Sequence, residues 1–349
     1  MLTFNPGPSQ LTDDVIDAIR DIAVSGFLSI SHRSSKFKEV CRSAVEGLRD
    51  VFSLPPEYTI LLQPSATAAM EMVLRNCVST RSFHFVHGAF SQRFYETARE
   101  MRIEAFGFQS DPDQPVNWGQ VDVPRDVDTI CVTHNETSTG LMWPAQEIDA
   151  LRARYPEPLM VIDATSSWGG VDFDWKTGDV WFASVQKCLG LPSGLAVVAL
   201  SPRAMDVAGS TSPGVPWSPV AWQNVISMAE KMRDWQTPET PNMLGIALLA
   251  RQMEHWDHKQ VVKRTQEKAR LIYRPRSFWE PFVTDPDWRS VTVAHFLSDQ
   301  VDELKRKAVE QGMVLGSGYG PYKKRGLRIA NFPAVDLDSV AGLIRALES

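Results

Sequence analysis

Short, almost wholly apolar segments alternate along this chain with amphipathic ones. Thr59-Ile60-Leu61-Leu62, Phe83 to His87, Asp128 to Thr133, Leu159 to Asp163, Val180 to Val185 and Gly194 to Leu200 read as strands buried on both faces. Glu104 to Phe108 reads as a weaker one. The segments between them carry apolar residues at helical spacing. Thr12-Asp13-Asp14 supplies caps for a helix over VIDAIRDIA. Phe37, Val40, Cys41, Ala44, Val45, Leu48, Val51 and Phe52 share one face of a second, which Pro55-Pro56 should stop. Further helices are expected over Ala66 to Arg75, Phe90 to Met101 and Ala145 to Arg154. This alternation predicts an α/β fold with a mostly parallel, seven-stranded sheet covered by helices on both faces.

The organisation changes at Gln236-Thr237-Pro238-Glu239-Thr240-Pro241. Beyond it the pattern predicts one long helix from Asn242 to about Tyr273, then a strand over Ser290 to Phe296, a helix over Gln300 to Gln311, a strand over Leu327 to Asn331 and a last helix over Leu337 to Leu347. We therefore expect a large domain over 10–240 and a smaller α+β domain over 241–349, with residues 1–9 packing near the latter.

Ligands of parallel sheets sit at the carboxyl ends of the strands, so the residues just after each strand matter most. Asp163 ends one strand in VIDATSSWGG, and Lys187 follows another in SVQKCLG. A lysine at such an edge can serve as a Schiff-base amine if burial lowers its pKa. A carboxylate beside it can keep a pyridinium nitrogen protonated, which makes the ring an electron sink. Either residue alone has a plainer reading, as a turn cap or a solvated cation. The pair in this setting is the stronger signal. In PSATAAMEM, small residues Ser65, Ala66 and Thr67 open a helix directly after a strand, which suits a phosphate as well as an ordinary cap. Asn135, Glu136, Thr137, Ser138 and Thr139 run to Gly140 as a dense polar loop, either a cleft lining or a simple turn. His32 and Arg33 precede a helix, and Arg328 sits in an apolar strand, where it needs an anionic partner.

Other features carry less. Gly316, Gly318 and Gly320 lack dinucleotide-site spacing, and no G-x-S-x-G elbow is present. His255 and His258 would lie together on the long helix, but with no third ligand we expect no metal. Cys188 beside Lys187 reads as a buried spectator. The 36 Lys and Arg against 42 Asp and Glu leave a net charge of -6, which argues against nucleic-acid or membrane-surface binding. The four cysteines show no CxxC spacing, no apolar run is long enough to span a bilayer, and the N-terminus lacks a leader pattern. Together these suggest a cytoplasmic protein.

NETSTG, VIDATSS and SVQK-x-LG-x-x-SGLAVV, in that order, resemble the class V (fold type I) pyridoxal-phosphate aminotransferases. FNPGPSQL, ISHRSSKF, QTPETPN and LRIANFPA narrow the resemblance to the phosphoserine aminotransferases. It covers nearly the whole chain. It implies the fold type I architecture, pyridoxal 5'-phosphate as cofactor, and amino-acid and keto-acid substrates, with phosphoserine and 2-oxoglutarate as the pair, in serine biosynthesis. Lys187 would form the internal aldimine and move the α-proton in a ping-pong reaction, and Asp163 would pair with the pyridine nitrogen. Phe90 would stack on the ring. Ala66, Thr67 and Gln186 would hold the phosphate, and Thr137 the ring hydroxyl region. Gln236 and Thr237 would reach the cofactor of the other subunit of a homodimer. Arg328 would clamp the substrate α-carboxylate, with His32 and Arg33 facing the distal anion.

Two departures stand out. Pro64-Ser65-Ala66-Thr67 replaces a Gly-Gly-Gly-Arg-like turn, and SGYGPYKKRG has no His-Arg pair, leaving Lys323, Lys324 and Arg325 as substitutes. Other class V transaminases (alanine–glyoxylate or serine–pyruvate type), a lyase or desulfurase, and a non-catalytic binding paralogue are the rival readings. A dehydrogenase is the poorest.

Overall fold

The apolar segments do assemble into one sheet in the computed structural model, which describes residues 1–210 and 221–349. Its seven strands lie in the order Thr59–Gln63, Ala196–Leu200, Val180–Ser184, Leu159–Asp163, Thr129–Thr133, Arg81–Val86, Glu104–Gln109. All run parallel except Ala196–Leu200, which is antiparallel to both its neighbours. The central strands are buried throughout because helices cover both faces. The expected α/β architecture with a mostly parallel sheet is therefore present.

A second, five-stranded sheet has the order Leu2–Phe4, Met313–Ser317, Gly326–Ala330, Val293–Leu297, Glu280–Pro281. Leu2–Phe4 pairs in parallel with Met313–Ser317, so the first residues of the chain complete a sheet built from the last third. The strand was not visible in the sequence because three residues carry no periodicity. The helices Pro202–Ser210 and Val225–Met232 were not anticipated either. Among the described residues no helix is long and apolar enough to cross a membrane.

Two expectations about helices need correction. The stretch from Asn242 to Tyr273 is two helices, Met243–Glu254 and His258–Ile272. Asp257 caps the second, its side chain accepting from Gln260 N at 3.0 Å. The break follows the two halves' different surroundings. The first half is buried from Gly245 to Ala250 and packs on the helices Ser35–Phe52 and Asp13–Val24. The second is amphipathic and packs on Leu337–Glu348 beside the small sheet. His255 and His258 consequently flank the break rather than share a helix, and His258 Nε2 lies 3.0 Å from Asp172 Oδ1. The helix Ser35–Phe52 ends before the prolines, at Ser53, whose left-handed backbone (φ 52°) lets Leu54 N reach Arg49 O at 2.9 Å.

The end of the large sheet opposite the strand termini discussed below is fixed by Asp179. This buried carboxylate accepts from Met160 N (2.9 Å) and Ser201 Oγ (3.2 Å) and pairs with Arg152 (2.9 Å). It thus ties three neighbouring central strands at one edge and fixes where their other ends point. Removing it leaves a backbone N–H and a largely buried guanidinium without their partner. Asp179→Ala is expected to destabilise the fold by about 3 kcal/mol. Chemical denaturation checks this as a lowered midpoint with an unchanged slope.

Candidate active site

The carboxyl ends of these strands converge on one cavity of about 300 Å³. Thr59–Gln63 leads into Ser65, Ala66 and Thr67, Thr129–Thr133 into Asn135 and Thr137, and Leu159–Asp163 ends in Asp163 itself. Val180–Ser184 leads into Gln186 and Lys187, and all of these residues line the cavity. Strand order decides the pairing. Leu159–Asp163 and Val180–Ser184 are adjacent and parallel, so the acid and the lysine emerge side by side.

The helix Ala66–Cys77 begins at the cavity wall. Ser65 caps it, accepting from Ala68 N at 3.1 Å, and Ala66 N donates to Ser184 Oγ at 2.7 Å. Among the described residues Thr67 N has no partner, so one amide of a positive helix end remains to meet an anion. Thr133 Oγ1, Asn135 Oδ1, Thr165 Oγ1 and Gln186 Oε1, all on lining residues, are buried without a hydrogen bond. Four orphaned polar atoms around one cavity mark a site shaped for a polar ligand rather than a packing void.

Lys187 and Asp163 are both buried, and no hydrogen bond joins them. Lys187 Nζ donates to Thr137 Oγ1 at 2.6 Å and stands 4.9 Å from the centre of the Phe90 ring. Asp163 Oδ1 accepts from Thr165 N at 2.9 Å. Burial pushes the Lys187 amine down to about 8, only partly offset by the negative charges of Asp163 and Glu136. Burial likewise pushes the Asp163 carboxyl up to about 6. Cys188 donates to Ser166 O, and its thiol is raised to about 12 by burial, which leaves it unreactive.

Arg328 does not itself line the cavity but holds Thr137, which does. Its Nη1 donates to Thr137 O at 2.9 Å and its Nε to Ser317 O at 2.7 Å, while Tyr319 lies beneath the guanidinium. Burial lowers its pKa to about 10. His32, Arg33, Gln236 and Thr237 do not line the cavity. They form a separate patch, where Arg33 donates to Gln236 Oε1 (2.7 Å), Thr237 O (2.9 Å) and Pro238 O (3.2 Å). Lys323, Lys324 and Arg325 are exposed and outside the cavity, and Arg325 faces Asp299 at 3.5 Å.

Sequence reasoning missed several contributors. Pro6, Gly7 and Pro8 line the cavity, held there by Ser9 N on Gln186 O at 2.7 Å. A side chain at Gly7 would begin 3.6 Å from Lys187 Cε, and its φ of 140° favours glycine. Ser184 and Arg93 also line the wall. The signal for Arg93 was available, since it lies one helical turn beyond Phe90 in the helix Ala89–Glu100.

The family profile described as aminotransferase class-V matches residues 1–276. A phosphoserine aminotransferase of Rhodococcus jostii is 29% identical, over 99% of this chain and 94% of its own. A solved phosphoserine aminotransferase from Cytophaga hutchinsonii superposes with a TM-score of 0.93 at 36% identity, over 99% of this chain and 98% of its own. An aspartate aminotransferase from Thermus thermophilus shares the fold with a TM-score of 0.86 at 24% identity, over 100% and 99%.

In the protein freed of ligand, the depressed Lys187 pKa should show directly. Labelling by an amine-selective reagent, followed at Lys187 by peptide mass spectrometry, should reach half its maximum near pH 8. A midpoint at an ordinary lysine value would contradict the burial argument.

Proposed function

The chain belongs to the class-V aminotransferases and is a pyridoxal-phosphate-dependent transaminase, and from that premise we propose that it transfers the amino group of phosphoserine to 2-oxoglutarate. What supports this donor above others is the whole-length similarity to the Cytophaga enzyme, 36% identical where the aspartate aminotransferase is 24%. The cavity fits the cofactor. It offers a free helix-terminal amide for a phosphate, orphaned hydroxyl and amide oxygens for ring substituents, an aromatic face at Phe90, and an amine and an acid on neighbouring strand ends.

When bound, the cofactor supplies an electron sink for the pair of electrons released as the substrate α-carbon loses its proton. The protein's own groups do the rest. We assign Asp163 to keep the proton on the ring nitrogen. The free Thr67 amide and Gln186 would hold the phosphate beside Ala66, and Thr137 the ring hydroxyl region. Phe90 covers one face and excludes water from it. The Lys187 amine would take the substrate α-proton and hold it for return. A pKa near 8 leaves a useful neutral fraction at neutral pH while keeping the protonated form accessible.

Arg328 is oriented by its two carbonyl bonds, and its Nη2, which has no partner among the described residues, is left for the α-carboxylate. In this reading the patch of His32, Arg33, Gln236 and Thr237 serves a second copy of the chain. Gln236 and Thr237 reach its cofactor phosphate, and His32 and Arg33 face its substrate's distal anion. This accounts for the position of these four residues outside their own chain's cavity.

Steady-state assays of the purified enzyme test the reading. Turnover with phosphoserine and 2-oxoglutarate should exceed that with alanine and glyoxylate. Preference for the second pair would keep the transaminase and overturn the donor. Arg328→Ala should raise KM for the amino donor by about tenfold or more. Lys187→Ala should lower turnover by about a thousandfold. Wild-type turnover in the lysine variant would remove the assigned role of Lys187.

A further inference from the structure

Glu136 is fully buried, and among the described residues no lysine or arginine pairs with it. An isolated buried carboxylate is costly unless donors surround it. Five do here. Oε2 accepts from Phe90 N (3.0 Å), Ser91 N (2.9 Å) and Ser91 Oγ (3.0 Å). Oε1 accepts from Ser138 N (3.0 Å) and Ser138 Oγ (2.6 Å). The first set is the amino end of the helix Ala89–Glu100, where the dipole favours a negative charge. The approach is close enough to need Gly88, because a Cβ there would stand 2.3 Å from Glu136 Cγ.

The two oxygens therefore hold two different elements. One fixes the helix that carries Phe90, whose ring lies 4.9 Å from Lys187 Nζ. The other fixes the turn that carries Thr137, whose hydroxyl takes the Lys187 amine at 2.6 Å. We propose that Glu136 is a positioning residue for Lys187: it locks the Phe90 helix to the Thr137 turn and sets a carboxylate behind the amine's two contacts. The proposal rests on Lys187 being the proton-moving amine.

The charge has a direction of effect. The ionisable groups that face Lys187 are Asp163, Glu136, Cys188 and Arg328, and Glu136 acts with Asp163 to favour the protonated amine. Glu136→Gln removes the charge, while its remaining oxygen can still accept from Phe90 N and Ser91 N. In this variant, freed of cofactor, the midpoint of Lys187 labelling should move to lower pH, by roughly half a unit or more. In the holoenzyme kcat should fall by about tenfold, with KM for the amino donor changed much less.

Ser138→Ala provides the second variant. It keeps the carboxylate and removes one of its ties, so kcat should fall modestly while the labelling midpoint stays at the wild-type value. A folded Glu136→Gln protein with wild-type kcat and an unmoved midpoint would overturn the proposal. Should that variant not fold, wild-type kcat in Ser138→Ala would overturn it. The labelling is read without substrate, so it decides the role of Glu136 even if phosphoserine proves to be the wrong donor.

Discussion

An amine and a carboxylate are buried at one sheet edge and kept from touching each other. That constraint governs the rest of the site. Direct pairing would be the cheapest way to hold Lys187 and Asp163 out of water, since each unpaired charge carries a desolvation cost of several kcal/mol. The chain spreads the two apart instead. Thr137 takes the amine and the Thr165 amide takes the acid, and both groups are displaced towards neutrality. Both groups line the same cavity of about 300 Å³. The sheet makes this possible by placing the two strands next to each other in parallel, with Asp179 anchoring their far ends.

The second structural theme is the hairpin made by Asn135–Glu136 and Leu141–Met142. It is the seam between the two sheets. From the large sheet's side, Asn135 Nδ2 reaches Ser166 O at 3.0 Å. From the small sheet's side, Arg328 holds Thr137 O, His295 Nδ1 lies 3.2 Å from Thr139 O, and Ser290 N donates to Gly140 O at 2.8 Å. Gly140 is needed here, because its φ of 73° is left-handed and a Cβ would come 2.8 Å from Val293 O. The same turn therefore orients the lysine and the arginine, so the group assigned to the reacting proton and the group assigned to the substrate share one support.

Much of this was legible in the sequence. Six of the seven strands were visible because burial on both faces leaves continuous apolar runs, the half-exposed edge strand Glu104–Gln109 reading more weakly, and parallel topology then placed Asp163 and Lys187 at one edge. The motif resemblance supplied roles that residue types alone left open. What stayed hidden depends on distance in the chain. Glu136 looked like one polar residue in a polar loop, because its donors at Phe90 and Ser91 lie on another element. Arg33 read as a group for an anion, whereas its acceptors within the chain are in the Gln236–Pro238 turn. The helix break at Asp257 was masked by an apolar run that merges into an amphipathic one. Lys323, Lys324 and Arg325 were placed near the distal anion by sequence position, whereas the strand Gly326–Ala330 begins only after they have turned to solvent.

We propose that the buried amine of Lys187 is where the cofactor is joined to the protein. The most direct measurement is to reconstitute the full chain with pyridoxal phosphate, reduce it with borohydride and map the modified lysine by peptide mass spectrometry. The account predicts one phosphopyridoxyl group per chain, on Lys187. Modification at another lysine, or none at Lys187 under saturating cofactor, would contradict it.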